Sequence, residues 1–492
     1  MNAYVLSELP LLLGFAALLL VAVVKPSKDG IVTPGVEAIS QLITLFALGL
    51  SAIASLWLLV PGEQFFGGAI GVTAIGRPLA SAGLALSFLA VLASPTYLAK
   101  IHVRPTDFRM VVLAQAIGIF HLPLAGDLAT LFIAFELVSV PSYVLAGFNF
   151  RDGRANEAGL KYLLLGALAS VLFLLGIAFL YGATGSLSFD AIGMKVREYL
   201  LLGSFSELLL VKASMAFFIA ALLFKVAAAP FHLWLADVYQ GANLASLSLI
   251  AAPAKIALFG LMAMLLWGPF AGLSETWMPL LLAAALLSAV LGNVQALSRG
   301  AQLSVKRVLA FSSTVNAGFI ILALFLSSAA AFITYLIAYG LTVVGVLAAL
   351  SALGTRGADI EGPADLQGLG RRHPWIAGAL TIFLFSLAGI PLTAGFATKF
   401  AVVTEAFTPG FVPAPGFIPV LLVSVLLGLV SFVFYFRIVR ALWLPASAES
   451  DETPAVSAKD VRGTDVNAAF VALLAAALVL VIGVLMRVPG LF

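Results

Sequence analysis

Fourteen uninterrupted apolar runs of about 20 residues succeed one another along the chain, and that pattern leaves one class of fold open. In helical form about 20 residues rise about 30 Å, the thickness of the hydrocarbon core of a bilayer. A transmembrane barrel would alternate apolar and polar residues in short strands, which these runs do not. Apolar residues make up 62% of the chain and charged residues only 10%, against about 25% charged in a soluble domain. No water-facing surface can cover such side chains. The fold expected is an all-α polytopic membrane protein.

The runs lie near 5–24, 36–60, 79–98, 108–124, 127–148, 157–182, 206–236, 243–269, 277–297, 304–326, 328–353, 375–407, 416–441 and 466–488. The opening MNAYVLSELPLLLGF has neither a basic start nor a small-residue cleavage pattern, so it reads as a retained first span. Links such as Ala125-Gly126-Asp127 leave no room for a soluble domain, and the largest polar insert runs from Ser447 to Asp465. Of the 26 Lys and Arg residues, three lie inside spans. Arg77, Lys195, Arg197, Lys212 and Arg487 fall on one side. The remaining eighteen, among them Lys25, Lys28, Arg151, Arg154, Lys161, Arg299, Lys306, Arg307, Arg356, Lys459 and Arg462, fall on the other. The positive-inside rule makes the second side cytoplasmic and puts both termini outside.

Four segments follow: three N-terminal spans in 1–107, five-span blocks in 108–269 and 277–441, and a polar loop with the last span in 442–492. An odd number of spans per block means the second block starts on the opposite side, which makes the two inverted repeats. Each carries a broken helix in fourth position, Phe224 to Pro230 in one and Gly389-Ile390-Pro391 through Lys399 in the other. A continuous helix over 375–407 would be about 49 Å long, too long for the core. Broken helices at matching places in inverted halves point to a transport site at the midplane.

Four ionisable residues stand inside the spans: Glu136, Lys225, Lys255 and Lys399. A charge at a helix centre costs at least ~2.5–3.5 kcal/mol on insertion scales, so each needs a partner or a wet cavity. Glu136 has no local partner, and Lys225 is the nearest cation in sequence. Together they are either a structural ion pair or a switch in which the carboxylate governs the lysine's proton. Pro230 would clash with the carbonyl of Val226 and free backbone groups beside Lys225. On a continuous helix His232, seven residues on, would share the Lys225 face. It is a possible relay residue or an interfacial hydrogen bonder. Lys255 follows Pro253, far from either interface; Lys399 is nearer a span end, where snorkelling is the alternative, with Glu405 as a candidate partner. One acid and three lysines cannot form a calcium or sodium cage. The absence of cysteine removes thiolate metal sites and cysteine-held iron–sulfur clusters. No Walker or GxGxxG motif at a strand–helix junction supplies an energy source, so a proton path here implies a partner that drives it.

Several stretches resemble the antiporter-like subunits of respiratory complex I, those of the N type in particular. They are Glu136 through Phe148, Glu157 through Ser170, Tyr181 through Gly185, Phe231 through Trp234 with Asp237 through Ala242, Ser304 through Ser313, and Ser386 through Phe396. The resemblance runs from about 108 to 440. It implies fourteen core helices in two inverted five-helix repeats and a relay at Glu136, Lys225, Lys255 and Lys399. It also implies a non-redox, proton-translocating membrane-arm subunit of an NAD(P)H- or ferredoxin-type quinone oxidoreductase. Quinone and redox cofactors then belong to partner subunits, with none in this chain, and no metal. The partners are other membrane-arm subunits and the lipid bilayer, with no nucleic acid; the location is a bacterial inner or equivalent energy-transducing membrane. The chain departs from the pattern at Ala236 and Asn243 to Ser246, where prolines are usual, and near Asn316 and Phe319, where His or Tyr often stands to link the half-channels. A subunit of a multi-subunit cation/proton antiporter is the alternative, and a membrane scaffold with the charges as packing pairs is a third reading.

Overall fold

A computed structural model describes residues 2–24, 34–101, 103–326, 328–354, 360–409, 413–444 and 465–486. Lys25, Lys28, His102, Arg356, Lys459, Arg462, Arg487 and most of the Ser447-to-Asp465 insert lie outside them. Helices dominate. Three come first, α1 (Ala3–Val24), α2 (Pro34–Leu58) and α3 (Gly76–Leu92), followed by α4 (Pro105–His121), α5 (Leu128–Ala146), α6 (Gly153–Thr184) and α7 (Phe205–Val226). Then come the short α8 (Trp234–Gly241) and α9 (Leu244–Ala251), and α10 (Pro253–Trp267). Next come α11 (Ser274–Ala296), α12 (Val305–Ala323), α13 (Ala329–Leu353), α14 (Pro374–Ala388), α15 (Ala394–Ala406), α16 (Phe417–Trp443) and α17 (Val466–Leu485), with further helices at Pro95–Lys100, Phe189–Leu202, Arg299–Gln302 and Leu369–Arg372 between them. Every apolar run becomes a helix or a broken pair, and among the described residues twelve stretches are long and apolar enough to cross a membrane unaided. The shorter α3 and α14 account for the other two runs.

Burial sorts the helices into an axis and a rim. The most apolar windows of Leu244–Trp267, α12 and α13 are 94%, 89% and 83% buried in protein, whereas that of α6 is only 28% buried. The rim helices turn leucines outward, Leu160, Leu164 and Leu168 on α6 among them, as lipid contact requires. Polar helix ends are closed by side chains, which an apolar solvent demands. Asp127, Asn243, Ser304 and Thr393 cap α5, α9, α12 and α15. Asn243 thus opens α9 as a cap, its Oδ1 accepting the Ser246 amide at 2.9 Å.

The helix breaks ahead of Pro230, as expected, but not through a clash with the proline. α7 stops at Val226, before the proline can meet a carbonyl. Ala227 turns left-handed (φ +57°) and the Ala228 amide reaches back to the Leu223 carbonyl at 2.9 Å. The carbonyl of Phe224 accepts the Trp234 indole N–H at 3.1 Å and the Ala229 amide donates to Ser288 Oγ at 2.8 Å. Protein therefore satisfies these groups at the break, where sequence reasoning invoked water. α14 ends the same way: Gly389 is left-handed (φ +84°) and the Ile390 amide bonds the Phe385 carbonyl at 2.9 Å. Both ends are left-handed closures with a six-to-one hydrogen bond. A third break was not expected. The run over 243–269 divides at Ala252 (φ −120°, ψ −76°), and Pro253 opens α10. Lys255 therefore lies in the first turn of a helix and not at the middle of one.

Candidate functional site

The buried ionisable groups sit where the axis helices meet the two broken ones. Lys225, in the last turn of α7, is buried with its Nζ donating to Ser139 Oγ at 2.7 Å and to the Tyr143 hydroxyl. The ammonium also lies over the rings of Phe135 and Tyr143, 4.9 and 4.7 Å from their centroids, a favourable contact for a cation. Ser139 and Tyr143 stand three and seven residues beyond Glu136 on α5, so the three share one helix face. The Tyr143 ring has room because residue 166 is glycine; a Cβ there would overlap it.

The expected Glu136–Lys225 ion pair is not made. Among the described residues none of Lys225, Lys255 and Lys399 has a carboxylate within 4.0 Å. The Glu136 Oε1 is buried with no hydrogen-bond partner. The carboxylate sits one to two turns along α5 from Ser139 and Tyr143, the groups that hold the lysine.

His232 does not extend the Lys225 face, because residues 227–233 are not helical and no periodicity connects the two. Its buried imidazole bonds Gln295 of α11 through Nε2 at 2.7 Å, between the blocks.

Lys255 is buried and donates to Ser313 Oγ on α12 at 2.6 Å. Ser313 Oγ is 2.6 Å from the Tyr339 hydroxyl on α13 and takes a longer bond, 3.5 Å, from the Tyr239 hydroxyl on α8. Beside it, Ser312 Oγ bonds the Tyr435 hydroxyl of α16. Asn316, where the link between the halves was expected, spends its amide on its own helix, Nδ2 to the Ser312 carbonyl at 2.9 Å.

Lys399 on α15 turns inward and does not snorkel. Its Nζ donates to the Leu387 carbonyl at the end of α14, 2.7 Å away, and lies 4.7 Å from the centre of the Phe319 ring. Glu405 faces elsewhere, accepting the Ser328 amide at 2.8 Å. Gly389 lets Lys399 pass, since a Cβ there would come within 3.2 Å of its Cδ.

A second charged group lies at one end of the bundle. Asp237 on α8 accepts from Lys161 of α6 and from Arg307 of α12, both at 2.8 Å. Burial pulls the Asp237 carboxyl upward, but these two cations outweigh it and hold the group below its ordinary value. Glu157 joins Lys161 at 2.7 Å and Arg154 meets Glu361 at 2.9 Å. The Asp237 contacts tie the segment after the α7 break to both five-helix blocks.

Of the four charges named from sequence, Lys225 and Lys255 are buried and Glu136 and Lys399 partly buried, while the hydroxyls that hold Lys225 and Lys255 were missed. Ser139 and Tyr143 were within reach, at helical spacing from Glu136. Ser313 and Tyr339 were not, because nothing local marks a buried serine or tyrosine as a partner.

A family model described as "NADH:quinone oxidoreductase/Mrp antiporter, TM" matches residues 125–417. NADH-quinone oxidoreductase subunit N 2 of Roseiflexus castenholzii is 33% identical over 460 residues, which is 92% of this chain and 89% of that protein. Among solved structures, a chain of respiratory complex I from Thermus thermophilus matches at a TM-score of 0.77 and 30% identity, covering 99% of both chains. A chain of the Mrp complex from Dietzia sp. DQ12-45-1b reaches a TM-score of 0.78 at 19% identity, over 98% of this chain and 95% of that one. This last is a likeness of fold alone.

Proposed function

This chain belongs to the NADH:quinone oxidoreductase/Mrp antiporter membrane family, as a subunit of the N type, and on that premise we propose that it carries protons across the bilayer. Lys225 takes a proton from the cytoplasmic side, with Glu136 adjusting its hold by charge. Lys255 passes it to the second block, and Lys399 releases it outward. The blocks 108–269 and 277–441 work as inverted repeats, both termini face outward, and the membrane is a bacterial inner or equivalent one. Quinone reduction in neighbouring membrane-arm subunits drives the cycle; the redox cofactors are theirs.

The observation that carries this reading is what the three lysines touch. A lysine clamped by a carboxylate is fixed as a cation, whereas these end on neutral oxygens. A serine or tyrosine hydroxyl accepts from an ammonium and can equally donate to an amine. Lys225 and Lys255 therefore have partners in both protonation states, as a relay requires and a packing pair does not.

The fold shared with the Mrp chain keeps sodium/proton exchange as the second reading. The assembled complex, reconstituted in vesicles with a lumenal pH dye, separates the two. Quinone reduction should acidify the lumen equally with sodium present or omitted. A requirement for sodium, or sodium flux opposite to the protons, would favour the antiporter.

A further inference from the structure

We propose that Trp234 is a positioning residue for Lys225: it closes a circuit of aromatic rings that holds the Tyr143 hydroxyl against the lysine's ammonium. The proposal rests on the relay reading above and adds to it a residue that acts on Lys225 only through others.

The circuit runs from the lysine's head back to its own backbone. The Lys225 ammonium donates to the Tyr143 hydroxyl and lies 4.7 Å from the centre of that ring. Tyr143 meets Tyr162 of α6 edge-on, with 4.8 Å between centroids and 82° between planes. Tyr162 stacks on Trp234 at 4.5 Å and 11°, and Trp234 stacks on Phe224 at 5.2 Å and 24°. Phe224 is the residue before Lys225. Trp234 makes this last link twice, because its indole N–H also donates to the Phe224 carbonyl at 3.1 Å. Tyr143, Tyr162 and Trp234 are each no more than 5% exposed, and ring pairs in these geometries attract beyond their shared burial.

The break after α7 is what brings Trp234 here. On an unbroken helix it would sit about 13.5 Å beyond Lys225 along the axis and on the opposite face. Instead the chain turns left-handed at Ala227, and α8 begins at Trp234 beside the end of α7. α8 is then tied to α6 at three points. Tyr162 takes Trp234, Lys161 takes Asp237 at 2.8 Å, and Gly241 comes so close that a Cβ would overlap the Arg154 carbonyl. Lys225 needs such a frame. Hydroxyls and ring faces hold its ammonium, and among the described residues no carboxylate within 4.0 Å fixes it. The Tyr143 oxygen must therefore be placed by packing, and a tyrosine has only two side-chain torsions to fix.

The test is a double-variant cycle in the assembled complex, reading the rate of lumenal acidification driven by quinone reduction. Retention of the subunit in the purified complex is checked for each variant. Trp234→Leu removes the stack and the indole N–H, and should lower the rate several-fold, as Tyr143→Phe does. The two combined should fall no further than the lower of them alone, because both release the same contact. Trp234→Phe keeps a ring for Tyr162 and Phe224 to stack on and should restore most of the rate; the Phe224 carbonyl still has the Ala227 amide at 3.0 Å. If Trp234→Leu is lost from the complex, Tyr162→Leu cuts the circuit at the next ring and takes the same reading. A full rate in the cutting variant while Tyr143→Phe falls, or losses that multiply when the two are combined, would make Trp234 a packing residue and leave the relay standing. A full rate in Tyr143→Phe and in Lys225→Ala would end the relay reading and this role with it.

Discussion

Each buried lysine is held by a small set of oxygens and, at Lys225 and Lys399, by the face of an aromatic ring, and two predictions follow at the scale of single residues. Tyr143→Phe removes one hydroxyl from Lys225 while keeping the ring beneath it. Loss of one partner of a buried donor costs about 1–3 kcal/mol, and proton-coupled turnover of the assembled complex should fall several-fold. Gly166→Ala touches neither group, but its Cβ overlaps the Tyr143 ring and should give the same loss. Normal coupled turnover in Gly166→Ala would show that the position of Tyr143 is immaterial. The four charges were legible in the sequence because an ionisable residue among apolar ones is conspicuous and costly. Their partners were not, because a hydroxyl carries no such mark. The missing Glu136–Lys225 contact has the same origin: sequence shows that two charges share an interior, and only packing decides whether serine and tyrosine come between them.

At the scale of helices, both broken ones were foreseen, from Pro230 and from the excess length of 375–407. Their endpoints were not, because a helix stops where its last carbonyls find a closing bond and the proline only prevents its return. The break at Ala252 escaped notice because α9 and α10 together have the length of one span. The matched closures at Ala227 and Gly389 predict opposite responses. A left-handed conformation costs a residue with a Cβ about 1–2 kcal/mol. Gly389→Ala should destabilise by that amount and crowd Lys399, lowering the unfolding temperature and the proton-coupled rate together. Ala227→Gly should stabilise by about 0.5–1 kcal/mol, the relief of strain less the entropy of a glycine. Thermal unfolding in detergent reads both, and shifts of the same sign would contradict the shared closure.

At the scale of the molecule, three nearly buried helical stretches form an axis that carries Lys255, Ser313 and Tyr339, and a charged clamp at one end joins the blocks through Asp237. The clamp has a pH signature. Asp237 is held below its ordinary value when folded, so its contribution is full above the unfolded carboxylate range, about pH 4. It disappears as pH falls through the folded value. The stability gap between the parent and Asp237→Asn should be present at pH 7 and close under strong acid; a gap that widened on acidification would contradict the clamp. The axis itself was visible in sequence only as runs more or less interrupted by polar residues, since burial in protein and burial in lipid select the same apolar side chains. The central claim is that these buried lysines move protons, and the most direct measurement sets quinone-reductase activity beside proton pumping in vesicles carrying Lys225→Ala in the assembled complex. Pumping and coupled turnover should both fall while the complex stays intact. Full pumping in an intact complex would make the buried charges structural and put the proton path elsewhere.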